Sequence, residues 1–211
     1  MASSLDYMKS LGTGLIILAT GFVLGSIYAN WAYDYYMLWK SPVSPEMVSL
    51  TAQHYRMRAG QPAFLHHVLH GVLAIGFTGI FIKIYKPTEA NTLFDGGSLV
   101  LFVIAIVFYL SNLRVAAQSV LTGDWYDIDE TTGIQLMSAS QVLIVLVFMG
   151  VLALQLGQWW AAKDTASQIA KAKREQTQAQ SAATSEADTE PSEAEPVKVT
   201  GSSKSKANKR K

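Results

Sequence analysis

Four long runs without a charged residue limit what this chain can fold into. They cover Ser10–Tyr33, Ala59–Ile82, Gly96–Leu113 and Thr131–Ala162, with 24, 24, 18 and 32 residues. An α-helix rises about 1.5 Å per residue, so each run is long enough to cross a hydrocarbon core of roughly 30 Å. Segments of this length satisfy their own backbone groups in lipid only as helices. The runs therefore predict an all-α integral membrane protein with four transmembrane helices.

The composition changes sharply after the fourth run. All aromatic residues lie at or before Trp160, and the polar segment that follows ends in an acidic block and then a basic one. Such a segment buries too little apolar surface to offset the entropy cost of ordering it. The sequence therefore predicts a four-span membrane domain over residues 1–162. We expect residues 163–211 to form a hydrophilic, mostly disordered tail, with a helix that ends near Glu175.

The positions of lysine and arginine indicate the orientation in the membrane. The loop between the third and fourth runs is acidic, whereas basic residues follow the second and fourth runs: Lys83, Lys86, Lys163, Lys171, Lys173 and Arg174. Cytoplasmic segments carry the excess of basic residues, so both termini are predicted to be cytoplasmic.

The first loop is predicted to contain a short interfacial helix. Ser44 is a favourable N-cap, Pro45 suits the first helical position, and Gly60 is a typical stop signal. Val48, Ala52 and Tyr55 would share one face, because helical neighbours recur every three to four residues. We expect this helix to lie on the membrane or on the bundle.

His66, His67 and His70 form the most conspicuous set of possible metal ligands. Their spacing places imidazoles on one helix face, but no acidic residue occurs between Glu46 and Glu89, and the chain has no cysteine. A metal site needs further ligands and supporting hydrogen bonds. We therefore expect packing roles for these histidines, no metal, no cofactor and no enzymatic activity. A metal-dependent membrane enzyme is the rival hypothesis for this set.

Gly21, Gly25 and Ala29 place small residues on one face of the first predicted span. Small residues let another helix approach closely in a membrane. We expect this stripe to pack against the protein's own spans, and a helix of a client protein is the other possibility.

A small four-span transporter or channel subunit is an alternative function for the chain. That alternative would normally require an ionisable residue in the middle of a span, and the runs contain none. The net charge of +1 gives no indication of nucleic-acid binding.

The membrane region resembles one known family, the fungal endoplasmic-reticulum membrane chaperones that assist amino acid permeases. The resemblance covers about residues 5–162 and rests on short matches in the same order: Gly12-Thr13, Ala19-Thr20-x-Phe22-x-Leu24-Gly25, Asn30, Tyr33-Asp34-Tyr35 with Leu38, His54-Tyr55, Ser111-Asn112, Thr122-Gly123-Asp124-Trp125, Ser138, Leu156-Gly157 and Trp159.

This resemblance implies a function that composition does not show. Such proteins hold newly inserted permeases in a foldable state and help them enter COPII-coated vesicles, with the cytoplasmic tail linked to coat recruitment. The partners implied are thus amino acid permeases, COPII coat components and the lipid bilayer, and the location is the endoplasmic-reticulum membrane. Amide side chains such as Gln141 and Gln155 could add weak hydrogen bonds to a client. The candidate client-contact residues are Gly21, Gly25, Ala29, Tyr33, Asp34, Tyr35, Asp124 and Trp125. Asp34 and Asp124 could equally serve only as helix caps.

Overall fold

The computed structural model describes residues 4–85 and 89–187, and this part of the chain is helical without a strand. The predicted all-α fold is confirmed. The chain divides into two units, Met1–Lys163 and Asp164–Lys211. The helices are α1 (Ser4–Tyr28), α2 (Trp31–Trp39), α3 (Pro45–Ala59), α4 (Ala63–Ile84), α5 (Glu89–Phe108), a π-helical turn (Tyr109–Leu113), α6 (Arg114–Thr122) and α7 (Glu130–Ala187).

Four helical segments are long and apolar enough to cross a membrane, as predicted. They cover Tyr7–Tyr28, Ala63–Ile84, Thr92–Thr122 and Glu130–Ala179. The third segment joins α5, the π turn and α6 without a break. Its extent differs from the uncharged run, because the helix includes both Asp95 and Arg114. The second segment likewise includes Lys83, so the expectation that Lys83 lies in the following loop is wrong.

The closest helix packing in the first unit joins α1 and α4. A Cβ atom added at Gly12 would lie 2.8 Å from the carbonyl oxygen of Gly79, and one added at Gly76 would lie 2.8 Å from Cβ of Ala19. These distances are too short for a larger residue, so the glycines set the separation of the two helices. The core continues through Phe102, whose ring packs edge-on against Phe148 of α7 with the ring centres 5.3 Å apart.

The Gly21, Gly25 and Ala29 stripe lies on the opposite side of α1. All three residues are exposed, and a Cβ atom added at either glycine would meet nothing within 4 Å. The expectation that this stripe packs against the protein's own spans is therefore wrong for the described chain. The close α1–α4 packing uses a different set of small residues, on a face of α1 that also carries large apolar side chains.

The helix predicted in the first loop is confirmed as α3. The Ser44 hydroxyl accepts a hydrogen bond from the Met47 backbone N–H at 3.3 Å, Pro45 begins the helix, and Gly60 follows its end. This helix packs on the bundle, because Ala52 and Tyr55 are buried in a second apolar cluster. The cluster is completed by residues from three other helices: Met37, Val120, Ile134 and Met137.

In the second unit, the described part is the continuation of α7. The helix extends to Ala187, beyond the predicted end near Glu175. Its side chains are exposed where they are described, and local contacts such as the 2.8 Å hydrogen bond from Gln168 Nε2 to Asp164 are within one turn. The rest of the predicted disordered tail, residues 188–211, lies outside the described residues.

Candidate functional site

A chain of buried hydrogen bonds joins α2, α3 and α7 at one end of the bundle. Asn30 Nδ2 donates to Gln141 Oε1 at 2.6 Å, and Gln141 Nε2 donates to the Tyr55 hydroxyl at 2.6 Å. The Tyr55 hydroxyl in turn donates to Asp34 Oδ1. Asp34 and Tyr55 are each 1% exposed, so these bonds form where water cannot replace them. They hold the α2–α3 segment on the spanning helices.

Asn30 lies between α1 and α2, and its side-chain oxygen also contacts two residues of α3. Its Oδ1 atom accepts a hydrogen bond from Arg58 Nη1 at 2.9 Å and lies 3.0 Å from His54 Nε2. Arg58 Nη2 also donates to the Ser26 hydroxyl oxygen at 2.5 Å and to the Ser26 carbonyl oxygen at 3.2 Å. Because α1 ends here, its last carbonyl groups lack helical partners, and the guanidinium supplies one.

Burial controls the ionisation of this cluster. Desolvation raises the pKa of the Asp34 carboxyl, and the hydroxyls of Tyr55 and Ser138 and the charge of Arg58 partly oppose that rise. Burial and the neighbouring Asp34 carboxyl both raise the pKa of the Tyr55 hydroxyl far above its usual range, so it remains a donor. Burial and the Arg58 charge lower the pKa of His54. The Arg58 guanidinium thus lies close to a carboxyl whose ionisation is disfavoured by burial.

The three candidate residues of α2, Tyr33, Asp34 and Tyr35, differ in their exposure and in their partners. Asp34 is buried within α2 and accepts from Tyr55, so it is not a helix cap. Tyr33 is half-buried and stacks on His54 with the ring centres 4.0 Å apart. Tyr35 is exposed and stacks on Trp39 at 6.0 Å.

Of the two predicted residues of the loop before α7, Asp124 has a local contact, whereas Trp125 also packs against the second apolar cluster. The Asp124 carboxylate accepts a hydrogen bond from the Tyr126 backbone N–H at 3.0 Å. The Trp125 ring packs closely on Gly133, where a larger residue would collide with it. The cap of α7 is Asp129, whose carboxylate accepts from the Thr132 backbone N–H at 3.0 Å. The roles of all these residues in client contact stay predictions.

A second buried network lies near the other end of the spans, and sequence reasoning missed it. The Lys83 ammonium forms an ion pair with Asp95 at 3.0 Å, with both side chains 4% exposed. It also donates to Gln155 Oε1 at 2.5 Å and to Gln158 Oε1. Gln155 Nε2 donates to the Ser98 hydroxyl at 2.8 Å, and Gln158 Nε2 donates to Asp95 Oδ1 at 3.1 Å.

This network joins α4, α5 and α7 through polar groups alone. A signal for it exists in the sequence: opposite charges at the facing ends of two consecutive spans, and two glutamines one helical turn apart in the fourth. The structure also shows that Gln141 and Gln155 are buried and bonded within the bundle. The expectation that these amides are offered to a client is therefore wrong.

A cavity of about 730 Å³ opens between α1, α4 and the third span. Its lining includes Arg58, Arg114 and the three histidines of α4. Of these, His70 Nε2 lies 3.1 Å from the Tyr109 hydroxyl. Among the described residues, no group of three histidine, aspartate or glutamate side chains is arranged to hold a metal ion. In the described part of the chain, the three histidines thus line the cavity and are not arranged as a metal site.

Comparison with known proteins agrees with the resemblance noted in the sequence. The profile of the SHR3 chaperone family, described as ER membrane protein SH3, matches residues 7–195. Secretory component protein psh3 of Schizosaccharomyces pombe is 20% identical over 142 residues, which cover 67% of this chain and 66% of that protein. The chain thus aligns with just under two thirds of that relative's length. No solved structure matches. With its four membrane-spanning helices, the chain belongs to the SHR3 family of endoplasmic-reticulum membrane chaperones.

Proposed function

We propose that this endoplasmic-reticulum membrane chaperone serves amino acid permeases, assisting their folding and their packaging into COPII vesicles. Membership of the chaperone family supports a client that is itself a membrane protein. The observation that carries the proposal is the exposed face of α1 with Gly21, Gly25 and Ala29. A face with small residues and free space around it is suited to a transient contact with another transmembrane helix.

The opposite face of α1 supports this role because it is fixed in the bundle. Gly12 and Ala19 pack directly on α4, so α1 presents its exposed face from a rigid support. A newly inserted permease exposes helix faces that have not yet met their own partners. Such contacts are weak, since even a hydrogen bond between transmembrane helices averages only about 0.6 kcal/mol, and this allows release once the permease has folded.

We further propose that both termini are cytoplasmic, so that α2, α3 and the loop before α7 face the lumen. The exposed basic residues of the second unit, among them Lys171 and Lys173, support this orientation. In this arrangement Tyr33, Tyr35 and Trp125 lie near the lumenal surface, and the tail reaches the COPII coat components in the cytoplasm.

The test measures the cellular location of several amino acid permeases in cells that lack this gene, with an unrelated polytopic membrane protein as a reference. We expect the permeases to remain in the endoplasmic reticulum while the reference protein reaches the cell surface. The variant Gly21→Leu/Gly25→Leu should fail to restore permease export, because two isobutyl groups would hold a client helix away. Gly71→Leu is the matched control, since Gly71 is also an exposed glycine with free space around it, on α4. Export of permeases at normal levels without the gene would refute the proposal.

One observation favours the rival function of a small transporter or channel subunit. Lys83 and Asp95 are ionisable residues inside membrane-spanning helices, where such groups often mark a transport path. Against this, the pair is enclosed by Gln155 and Gln158 and does not line the cavity. Solute or ion flux through liposomes that contain the purified protein would support the rival, and we expect none.

A further inference from the structure

We propose that the cavity between α1, α4 and the third span binds a glycerophospholipid with an anionic head group. The phosphate would lie beside Arg58 and Arg114, and one acyl chain would follow the apolar wall towards Leu73 and Phe148. This inference is independent of the identity of the client proteins.

The charges of the cavity lining select an anionic ligand. Arg58 and Arg114 supply its positive charge, and no aspartate or glutamate of the described chain lines it. The Arg114 side chain is exposed, and its guanidinium has no hydrogen-bond or ion-pair partner in the described part of the chain. Arg58 uses Nη1 and Nη2 for Asn30 and Ser26, which leaves Nε–H and one Nη1–H for a ligand. The Asp34 carboxyl interacts electrostatically with Arg58, but it accepts from Tyr55 and lies outside the lining.

The arginines and histidines of the lining lie at one level of the membrane domain. Arg58 belongs to the last turn of α3, and His66 and His67 lie in the first turns of α4. Arg114 begins the last segment of the third span, which ends at Thr122. The cationic part of the cavity is therefore near the ends of the spans, at the depth where lipid phosphates lie. Basic pockets between transmembrane helices bind anionic lipid head groups on the cytoplasmic side of membranes, and this cavity offers the same chemistry at the proposed lumenal end of the bundle.

The deeper part of the lining is apolar, as an acyl chain requires. It includes Leu73, Ala105, Ile144 and Phe148. Leu73 is ten residues into α4, so it lies about 15 Å from the start of that helix, near the middle of the hydrocarbon core. The cavity volume of about 730 Å³ is typical of small-molecule sites, which range from roughly 300 to 1,000 Å³. An amphiphile that enters from the adjacent leaflet would thus meet charge at the head-group level and apolar side chains below it.

The π turn in the third span is a second, independent indication of a site. Turns of this kind inside α-helices occur frequently at functional sites. Tyr109 and Leu113, its first and last residues, both line the cavity. The extra residue in the turn rotates the helix that follows and so sets the direction of Arg114. The Tyr109 hydroxyl is also held by His70 on the facing helix, at 3.1 Å.

An anionic lipid fits this lining better than a zwitterionic one. The choline group of phosphatidylcholine would lie among arginines and histidines with no carboxylate to neutralise it. Phosphatidylinositol carries the same phosphodiester and no cation. The structure therefore predicts selection by the net charge of the head group.

The experiment uses the purified full chain and measures bound lipid by native mass spectrometry. The protein is equilibrated in mixed micelles with equal amounts of phosphatidylinositol and phosphatidylcholine that have the same acyl chains. We expect preferential retention of phosphatidylinositol, reduced by roughly tenfold or more in Arg114→Gln, since hydrogen bonds to charged groups contribute on that scale. Arg114→Lys should retain part of the selectivity. Arg174→Gln is the control, because Arg174 is exposed and belongs to the second unit.

A second variant keeps the proposal testable if Arg114→Gln does not fold. Ile106 lines the cavity and is only partly buried, so Ile106→Trp would occupy the space of the acyl chain with little change to the cationic end. We expect loss of lipid from this variant as well. Equal retention of the two lipids, or unchanged phosphatidylinositol binding in the folded variants, would overturn the inference. The inference would also be overturned if a photoactivatable amino acid at position 113 crosslinked to a permease helix instead of to lipid in isolated membranes.

Discussion

Removing both partners of the buried Lys83–Asp95 ion pair should destabilise the protein by clearly less than the sum of the two single removals. In Lys83→Met the Asp95 carboxylate keeps one hydrogen bond, from Gln158 at 3.1 Å, and loses its counter-charge at 3.0 Å. Its side chain is 4% exposed, so water cannot replace the ammonium. Removing one member of a buried pair typically costs about 3–5 kcal/mol.

The double variant Lys83→Met/Asp95→Leu leaves no buried charge. Gln155 keeps its 2.8 Å bond to Ser98 but its Oε1 atom loses the ammonium, and Gln158 loses both of its partners, at a cost of about 1–3 kcal/mol for each glutamine. The same hydrogen bonds are lost in one or other of the single variants, so their cost cancels when the double variant is compared with the sum of the two. If each single substitution costs about 3–5 kcal/mol, the double variant should lie at least about 2 kcal/mol below the sum of the two. This coupling is the quantity to measure, because it separates the charge effect from the loss of packing.

The assay is unfolding by SDS in dodecyl maltoside micelles, followed by circular dichroism, for the wild type, both single variants and the double variant. Lys171→Met is the control for the loss of a lysine, since Lys171 is exposed, and it should change stability by no more than about 0.5 kcal/mol. Additive effects of the two single substitutions would refute the reasoning. They would mean that the two side chains do not depend on one another in the folded protein.

Three other predictions concern the packing and caps of the bundle. Gly79→Val should destabilise the protein by about 1–3 kcal/mol in the same SDS assay, because its Cβ would lie 2.7 Å from the Gly12 carbonyl oxygen. Tyr55→Phe should cost about 2–4 kcal/mol by leaving two buried partners unpaired, whereas Tyr36→Phe, at an exposed ring, should change little. The hydrogen bonds that the Asp129 carboxylate accepts from Thr132 lower its pKa below 3.8, the value in the unfolded chain. Its stabilisation of α7 is therefore fully present above pH 3.8 and is lost as the pH falls through the lower pKa of the folded protein. The stability difference between the wild type and Asp129→Ala should therefore disappear in acid, and a difference that persists would contradict this assignment.

The predictions that succeeded rest on interactions local in sequence. The spans follow from runs of uncharged residues, because any charge placed in lipid is costly wherever the rest of the chain lies. The α3 helix follows from Ser44, Pro45 and Gly60, each of which acts within a few residues of its own position. The end of α7 was predicted poorly, since the polar helix beyond Glu175 has no apolar pattern to mark its limit.

The candidate site was only partly accessible from the sequence. Asp34 is a candidate through the Tyr33-Asp34-Tyr35 match to the chaperone family, but its burial beneath Tyr55 depends on α3 folding back on the bundle. Lys83 was assigned to a loop because it is the first charge after an apolar run. Its inclusion in α4 depends on Asp95 and two glutamines from other helices, which together satisfy the ammonium.

The sequence by itself determined that this chain forms four membrane helices with a capped helix in the first loop, since hydropathy and capping are properties of short segments. The tertiary structure decided which face of each helix is turned inward. Lipid is as apolar as the side chains of a membrane core, so hydrophobicity does not fix the rotation of a span about its axis. Close packing and buried hydrogen bonds fix it instead. That is why Gly12 contacts α4 while Gly21 and Gly25 remain exposed on the outer face of α1.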